Sequence, residues 1–166
     1  MRVTTRTRYA IRALYDLAFH RRGQSALAKE IAARQQIPLR FLEQILQDLR
    51  RAGLVEARRG PRGGYALAHP PLDVSLADIL RAVRGPLEEM LGVEGPEPMR
   101  LPGAPPPGDG QADGAIPFDD IPAQVWADVG ARLIDVLEQT TLADFVARAE
   151  GAGVRRAVLP ATMYFI

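Results

Sequence analysis

The sequence has no cysteine, no asparagine, a single lysine and only 6% aromatic residues in 166. The missing cysteine excludes disulfides, thiolate catalysis, Cys-ligated zinc and thiolate-held iron–sulfur clusters, all of which need sulfur donors. No stretch approaches the roughly 20 consecutive apolar residues of a membrane span. The opening Met1-Arg2-Val3-Thr4-Thr5-Arg6 carries charge but no apolar core of a secretory signal, so a cytoplasmic protein that makes no membrane contact is expected. The two histidines, His20 and His69, stand far apart in sequence and read as surface or loop residues, so no metal site is expected. There is no Ser-His-Asp set, no His-Glu-x-x-His and no Walker sequence, and an enzyme is not expected.

What is present is arginine, distributed unevenly. Residues 1–84 hold 15 Arg and one Lys against seven acids, a net charge of +9, whereas residues 85–166 hold five Arg against 13 acids, a net charge of −8. The basic half suits a polyanion and the acidic half would repel one. An Arg-rich but ordinary solvated surface is the competing explanation, which only geometry can weigh.

Helical spacing of Ala10, Ala13, Leu14, Leu17 and Ala18 predicts a first helix from Arg6 to about Arg22, stopped by Gly23. Ser25 reads as the N-cap of a short second helix to about Arg34, with Leu27 and Ile31 facing inward. Pro38 suits the first position of a third helix that ends at Arg51 or Ala52 before Gly53. In this third helix Leu42, Ile45, Leu46 and Leu49 form one apolar stripe. Arg40, Glu43, Gln44, Gln47 and Arg51 recur on the opposite face. Two short helices joined by a tight turn match a helix-turn-helix whose second helix enters a major groove. Arg and Gln fit guanine and adenine edges, and Glu can accept from a cytosine amine. A merely solvated polar face is the alternative for any single helix.

Leu54–Arg58 and Tyr65–Ala68 alternate like short strands around Arg59-Gly60-Pro61-Arg62-Gly63-Gly64, a hairpin loop. Arg58, Arg59 and Arg62 gather on this protrusion, where guanidinium groups can meet phosphates or enter a minor groove. A Gly-rich phosphate cradle is disfavoured, since no Lys-Ser/Thr ending is present and a strand follows. Asp73 to Arg84 reads as a further helix with a Ser75/Asp78 capping box, closed by Gly85-Pro86.

From about Gly92 to Pro117 the composition turns to Pro, Gly and acid, as in a mobile or irregular loop. Asp119 to about Gln139 then predicts a long helix. Ile121, Val125, Val129, Leu133 and Val136 or Leu137 lie along one seam, with Trp126 and Ile134 beside it. Such a seam needs a partner surface, either its own domain or a second subunit, and the dimer interface is favoured. Thr141 and Asp144 cap a last short helix to about Glu150, echoing the Ser75 segment. The apolar end, Val158 to Ile166, suits docking on a partner subunit, a ligand pocket or recruitment of another protein.

Together, Arg8-Tyr9-Ala10-Ile11-Arg12-Ala13-Leu14, Glu30-Ile31-Ala32, Phe41-Leu42-Glu43-Gln44-Ile45-Leu46, Leu49-Arg50-Arg51-Ala52-Gly53-Leu54-Val55 and Arg59-Gly60-Pro61-Arg62-Gly63-Gly64-Tyr65 resemble the Rrf-two family of winged-helix regulators, the IscR, NsrR and CymR type. Val125-Trp126-Ala127-Asp128 and Thr141-Leu142-Ala143-Asp144 extend the resemblance. It implies a mainly α fold: a winged helix-turn-helix of three helices and a two-stranded wing, then a long dimerisation helix and a short final helix. The corresponding divisions are 1–85 for DNA binding, 86–118 as linker and 119–166 for dimerisation. The implied function is a homodimeric transcriptional regulator, a repressor, on a near-palindromic operator in double-stranded DNA.

Carried over, the resemblance assigns Arg40, Glu43 and Gln44 to base edges, and Arg59 and Arg62 to the wing with Arg58 beside it. Arg6 and Tyr9 fall at the first helix's phosphate contacts, although Tyr9 equally suits a core aromatic. Arg50 and Arg51 suit phosphates or the helix C-terminus. Cluster-binding members carry three cysteines between wing and dimerisation helix, and this segment has none. No cofactor is therefore expected, and the signal would be a small ligand or a partner protein. A protein-interaction module that kept the winged fold is the second reading, separable by deleting the wing.

Overall fold

Thr4 opens the first helix, α1 (Thr5–Asp16), by accepting the backbone N–H of Thr7 at 3.3 Å. The computed structural model describes residues 3–21, 24–60, 63–91, 93 and 121–156. Within them α1 buries Ala10, Ala13 and Leu14 on one face, as the spacing predicts. The helix does not continue unchanged to Arg22. After Asp16 it widens into one π-helical turn, Leu17–Arg21. Leu17, Ala18 and Phe19 are all buried in succession, more than one face of a regular α-helix carries. Tyr15 stacks on Phe19 at 5.5 Å. The Arg156 guanidinium lies 4.6 Å from the Phe19 ring centre and donates to the Phe19 carbonyl.

The second helix, α2 (Ala28–Gln35), starts later than Ser25 would set it. Ala26 instead exchanges two 2.8 Å backbone hydrogen bonds with Tyr65, which draws residues before the helix into a bridge with the wing. Leu27 is consequently turned outward, 42% exposed rather than inward. Its N–H is satisfied by Glu30 Oε2 at 3.1 Å. Asp16, fully buried, anchors the far end of α2: Arg34 donates to both carboxylate oxygens, at 2.6 and 2.9 Å, and Gln35 at 3.0 Å. The hydrogen bond to Asp16 keeps the Arg34 guanidinium above its ordinary range against the pull of burial.

Pro38 caps α3 (Leu39–Arg51) from just outside it rather than occupying its first position. Its carbonyl accepts from Phe41 and Leu42 at 3.0 Å. The strands β1 (Val55–Arg58) and β2 (Gly64–Leu67) pair antiparallel, Val55 opposite Leu67 and Arg58 opposite Gly64. Gly64 has φ +130°, and a Cβ there would collide with the Ala26 carbonyl, so the bridge to β2 requires glycine.

A single 3₁₀ turn, Pro71–Asp73, precedes α4 (Leu76–Arg84), which therefore begins after Asp73. Ser75 and Asp78 form the predicted capping box, Asp78 Oδ2 accepting the Ser75 N–H at 3.0 Å and Ser75 Oγ accepting the Asp78 N–H at 3.1 Å. A short helix, α5 (Leu87–Leu91), follows where the sequence suggests linker. Arg81 binds Glu88 at 2.7 Å and Glu138 at 2.8 Å, tying α4 to α5 and to α6 (Ile121–Gln139). The same pairing with Arg81 holds the Glu88 carboxyl below its ordinary range.

The last helix, α7 (Leu142–Gly151), repeats the cap of α4: Asp144 Oδ2 accepts from the Thr141 N–H at 2.7 Å and its hydroxyl at 3.0 Å. The two capped starts pair with each other. Leu76 N–H donates to Thr140 at 2.7 Å and Leu142 N–H to Val74 at 2.9 Å. The resemblance between the two segments is thus also a backbone junction.

The larger core gathers Leu14, Leu17, Ile31, Leu42, Ile45, Leu46 and Leu49 with Leu142 from α7. Full burial of each such side chain contributes about 1.5–3 kcal/mol. A smaller core joins Leu80, Leu87, Ile134 and Leu137. Both use α4, whose Ile79 faces one and Leu80 the other. Among the described residues, no helix is long and apolar enough to cross a membrane. The expected loop at 92–117, Val93 apart, and the apolar end at 158–166 lie outside the described residues.

Candidate nucleic-acid interface

The geometry of α3 follows from its two faces. Leu42, Ile45, Leu46 and Leu49 are each 0% exposed, which fixes the helix's rotation about its axis. Arg40, Glu43, Gln44 and Gln47 are thereby left exposed on the outer side. The turn from α2 is set by Ile37, buried, whose N–H donates to Ala32 at 3.0 Å, and by Gln36 in the left-handed region at φ 51°. Among the described residues, neither Arg40 nor Arg50 has an acidic partner.

Asp48 brings together two of the remaining predicted contacts. It accepts from Arg6 of α1 and from Arg51, one turn along α3, at 3.0 Å. The sequence separates Arg6 from Asp48 by 42 positions, so this junction is visible only in the fold. Tyr9 is half-buried, its ring edge-on to Phe41 at 5.8 Å. The ring packs against the core. Arg8, which sequence reasoning did not single out, is exposed on the same helix.

In the wing, Arg58 is half-exposed and bound to Glu56 at 2.6 Å along its own strand. Arg59 is exposed at the start of the loop. Arg62 lies outside the described residues. The double backbone link between Ala26 and Tyr65 holds β2 to the segment entering α2, so wing and helix-turn-helix are joined at the base. Among the described residues, no three His, Asp or Glu side chains are placed to hold one metal ion.

On α6 the predicted seam divides in two. Ile121, Val125, Val129 and Val136 are exposed, and Trp126 is 63% exposed. Leu137 is buried against α4 and α5 together with Ile134, and Leu133 packs partly on the same cluster. Leu137 therefore belongs to the chain's own core rather than to an outer seam. Gly130 permits this packing, since a Cβ there would meet Val93 Cγ2 at 2.6 Å and the Leu91 carbonyl at 3.1 Å.

Comparison with known proteins points the same way as this geometry. The profile of the Rrf2 family, described as an iron-dependent transcriptional regulator, matches residues 3–148. A Synechocystis protein named as an HTH-type transcriptional regulator is 41% identical over 144 residues, covering 87% of this chain and 86% of that one. The HTH-type regulator IscR of Cereibacter sphaeroides is 35% identical over 148 residues, 88% of this chain and 87% of that one. Among solved structures, CymR, the global cysteine regulator of B. subtilis, is similar with TM-score 0.65 and 27% identity, over 89% of this chain and 98% of that one. IscR of T. potens is similar with TM-score 0.64 and 30% identity, over 95% of this chain and 94% of that one.

Proposed function

The chain belongs to the Rrf2 family of winged-helix transcriptional regulators, and from that premise we propose that it works in the cytoplasm as a homodimeric repressor on a near-palindromic operator in double-stranded DNA. The observation that carries this reading is the outer face of α3. A fully buried leucine and isoleucine stripe holds Arg40, Glu43 and Gln44 out together on a rigid rod, the side chains that read base edges in a major groove. Arg58, Arg59 and Arg62 of the wing, with Arg6, Tyr9 and Arg51 beside α3, take phosphates. In this assignment residues 1–85 grip DNA, 86–118 connect, and 119–166 dimerise through the exposed Ile121, Val125, Val129 and Val136 of α6. Leu133 sits at the rim of that surface.

The signal in this reading is a small ligand or a partner protein. An iron–sulfur cluster does not suit the donors present, because the 166 residues include no cysteine.

A salt series tests the function. Binding to the promoter of its own or a neighbouring operon should weaken steeply as salt rises, with a footprint of two half-sites about 34–36 Å apart or a multiple of that. Gln44→Ala should cost about 1–3 kcal/mol on the correct site and relax base preference there. Equal affinity for native promoters and random DNA at every salt concentration would falsify the proposal.

A further inference from the structure

An α-helix turns about 100° per residue, so the buried residues of α3 fix where its other side chains point. Leu42, Ile45, Leu46 and Leu49, all 0% exposed, mark the inward direction. Arg40 and Arg51 then lie about 10° from the outward line, and Gln44 and Gln47 stand about 30° to either side of it. Glu43 is farther round, at about 70°. Gln47 is therefore aimed outward as squarely as Gln44, and both are exposed. It follows Gln44 by three residues and precedes Arg51 by four, about one turn each way, so a base reader and a phosphate contact of the proposed interface flank it. With Arg50 and Arg51 it lines a concavity of the same surface. Among the described residues the Gln47 amide has no hydrogen-bond partner, whereas the Gln35 amide is spent on Asp16 and Arg12.

We propose that Gln47 is a further specificity-determining residue, which reads an adenine in the base pair next to the one that Gln44 reads. Its Nε2 donates to adenine N7 and its Oε1 accepts from the N6 amine. Arg40, Glu43, Gln44 and Gln47 stand at i, i+3, i+4 and i+7, a set that a helix lying in a major groove can bring to base edges. Three residues of helix rise about 4.5 Å, on the order of one base-pair step of about 3.4 Å, so the two glutamines address neighbouring pairs. Each half-site then holds two adjacent A·T pairs, with the guanine that suits Arg40 on the Gln44 side. This assignment rests on the DNA-binding reading above.

The test selects duplexes from a fully randomised pool with the full chain, then measures affinity for the selected site with each base pair replaced in turn. Two adjacent A·T pairs should each be preferred by about five- to 150-fold. In Gln47→Ala one of these preferences should vanish and the other remain, and Gln44→Ala should show the reverse. Gln47→Arg should switch the preference at its own pair from A·T to G·C, since a guanidinium matches guanine O6 and N7. The position is exposed, so the variants should keep the fold, which circular dichroism checks. The dependence of affinity on salt should be the same for Gln47→Ala as for the natural chain, because a neutral amide displaces no cation.

Weakening in Gln47→Ala that is uniform across all base-pair replacements overturns the proposal, because a phosphate contact or a loosened helix acts in that way. So does an unaltered base preference in Gln47→Ala, the result for a side chain that is merely solvated. In either case a sequence still selected by the natural chain leaves the DNA-binding reading standing, and only the Gln47 assignment falls. A natural chain that enriches no sequence from the pool overturns both.

Discussion

Helices α3 and α6 are both long and two-sided, yet they turn opposite kinds of surface to solvent. On α3 the buried side is leucine and isoleucine and the outer side is Arg40, Glu43, Gln44 and Gln47. On α6 only Gly130, Ile134 and Leu137 are buried, while Ile121, Val125, Trp126, Val129 and Val136 remain exposed. A polar outer face is stable in water whether or not anything binds it. An apolar outer face of this length is characteristic of a surface that another protein covers. The difference separates a helix whose apolar side is covered within the chain from one whose apolar residues stay largely exposed.

The largest effect should come from undermining the platform of α3. Asp16→Ala strands Arg34 and removes the tie between α1 and α2, with an expected loss of about 3–5 kcal/mol in urea denaturation. A change below about 1 kcal/mol would show that the buried pair does not support the helix-turn-helix.

Val129→Asp strikes the exposed side of α6 instead. An unpaired charge at the centre of an apolar interface should raise the dimer dissociation constant by about a hundredfold or more, roughly 3 kcal/mol. Sedimentation would read this, with the circular dichroism spectrum unchanged. A variant that stays dimeric removes α6 from the interface and ends the contrast with α3.

Gly130→Ala probes the inner side of α6. In an exposed helix interior this change would stabilise by about 0.5–1 kcal/mol. Here the new Cβ meets Val93 and the Leu91 carbonyl, so the sign reverses, to a loss of about 1 kcal/mol. Thermal unfolding should show a midpoint lowered by about 2–4 °C. A raised midpoint would mean that α5 and α6 are not closely packed.

The smallest effect concerns the cap that follows α6. Thr141 holds the Asp144 carboxyl below its ordinary value through its N–H and hydroxyl. A depressed carboxylate stabilises the fold above its unfolded pKa, and that stabilisation is lost as pH falls through the folded value. The natural chain should therefore lose stability on acidification below about pH 4, and Asp144→Asn should flatten that acid limb. Identical acid profiles for the two proteins would show that the cap adds nothing.

Local spacing made much of this readable in advance. The stripe from Leu42 to Leu49, its polar reverse and both capping boxes depend on residues three or four apart, and the structure places them as read. What escaped depends on distant partners. Ser25 has the right chemistry for a cap, but the Tyr65 backbone claims its neighbour Ala26. The π-helical turn is tied to Arg156, 137 positions from Phe19. Val136 and Leu137 are adjacent in sequence, and only the position of α4 and α5 decides which of them is core.

Asp48 has an effect on how the protein would respond to ions. Arg6 and Arg51 are drawn to one carboxylate, and on the proposed DNA reading the two guanidiniums would reach the phosphates as a trio of net charge +1. Salt dependence follows the charge delivered to the duplex rather than the number of arginines that touch it. The trio would then displace about one condensed cation instead of about two. On that reading, a muted attraction to DNA of any sequence would leave a larger share of the affinity to the bases that Gln44 and its neighbours are proposed to read.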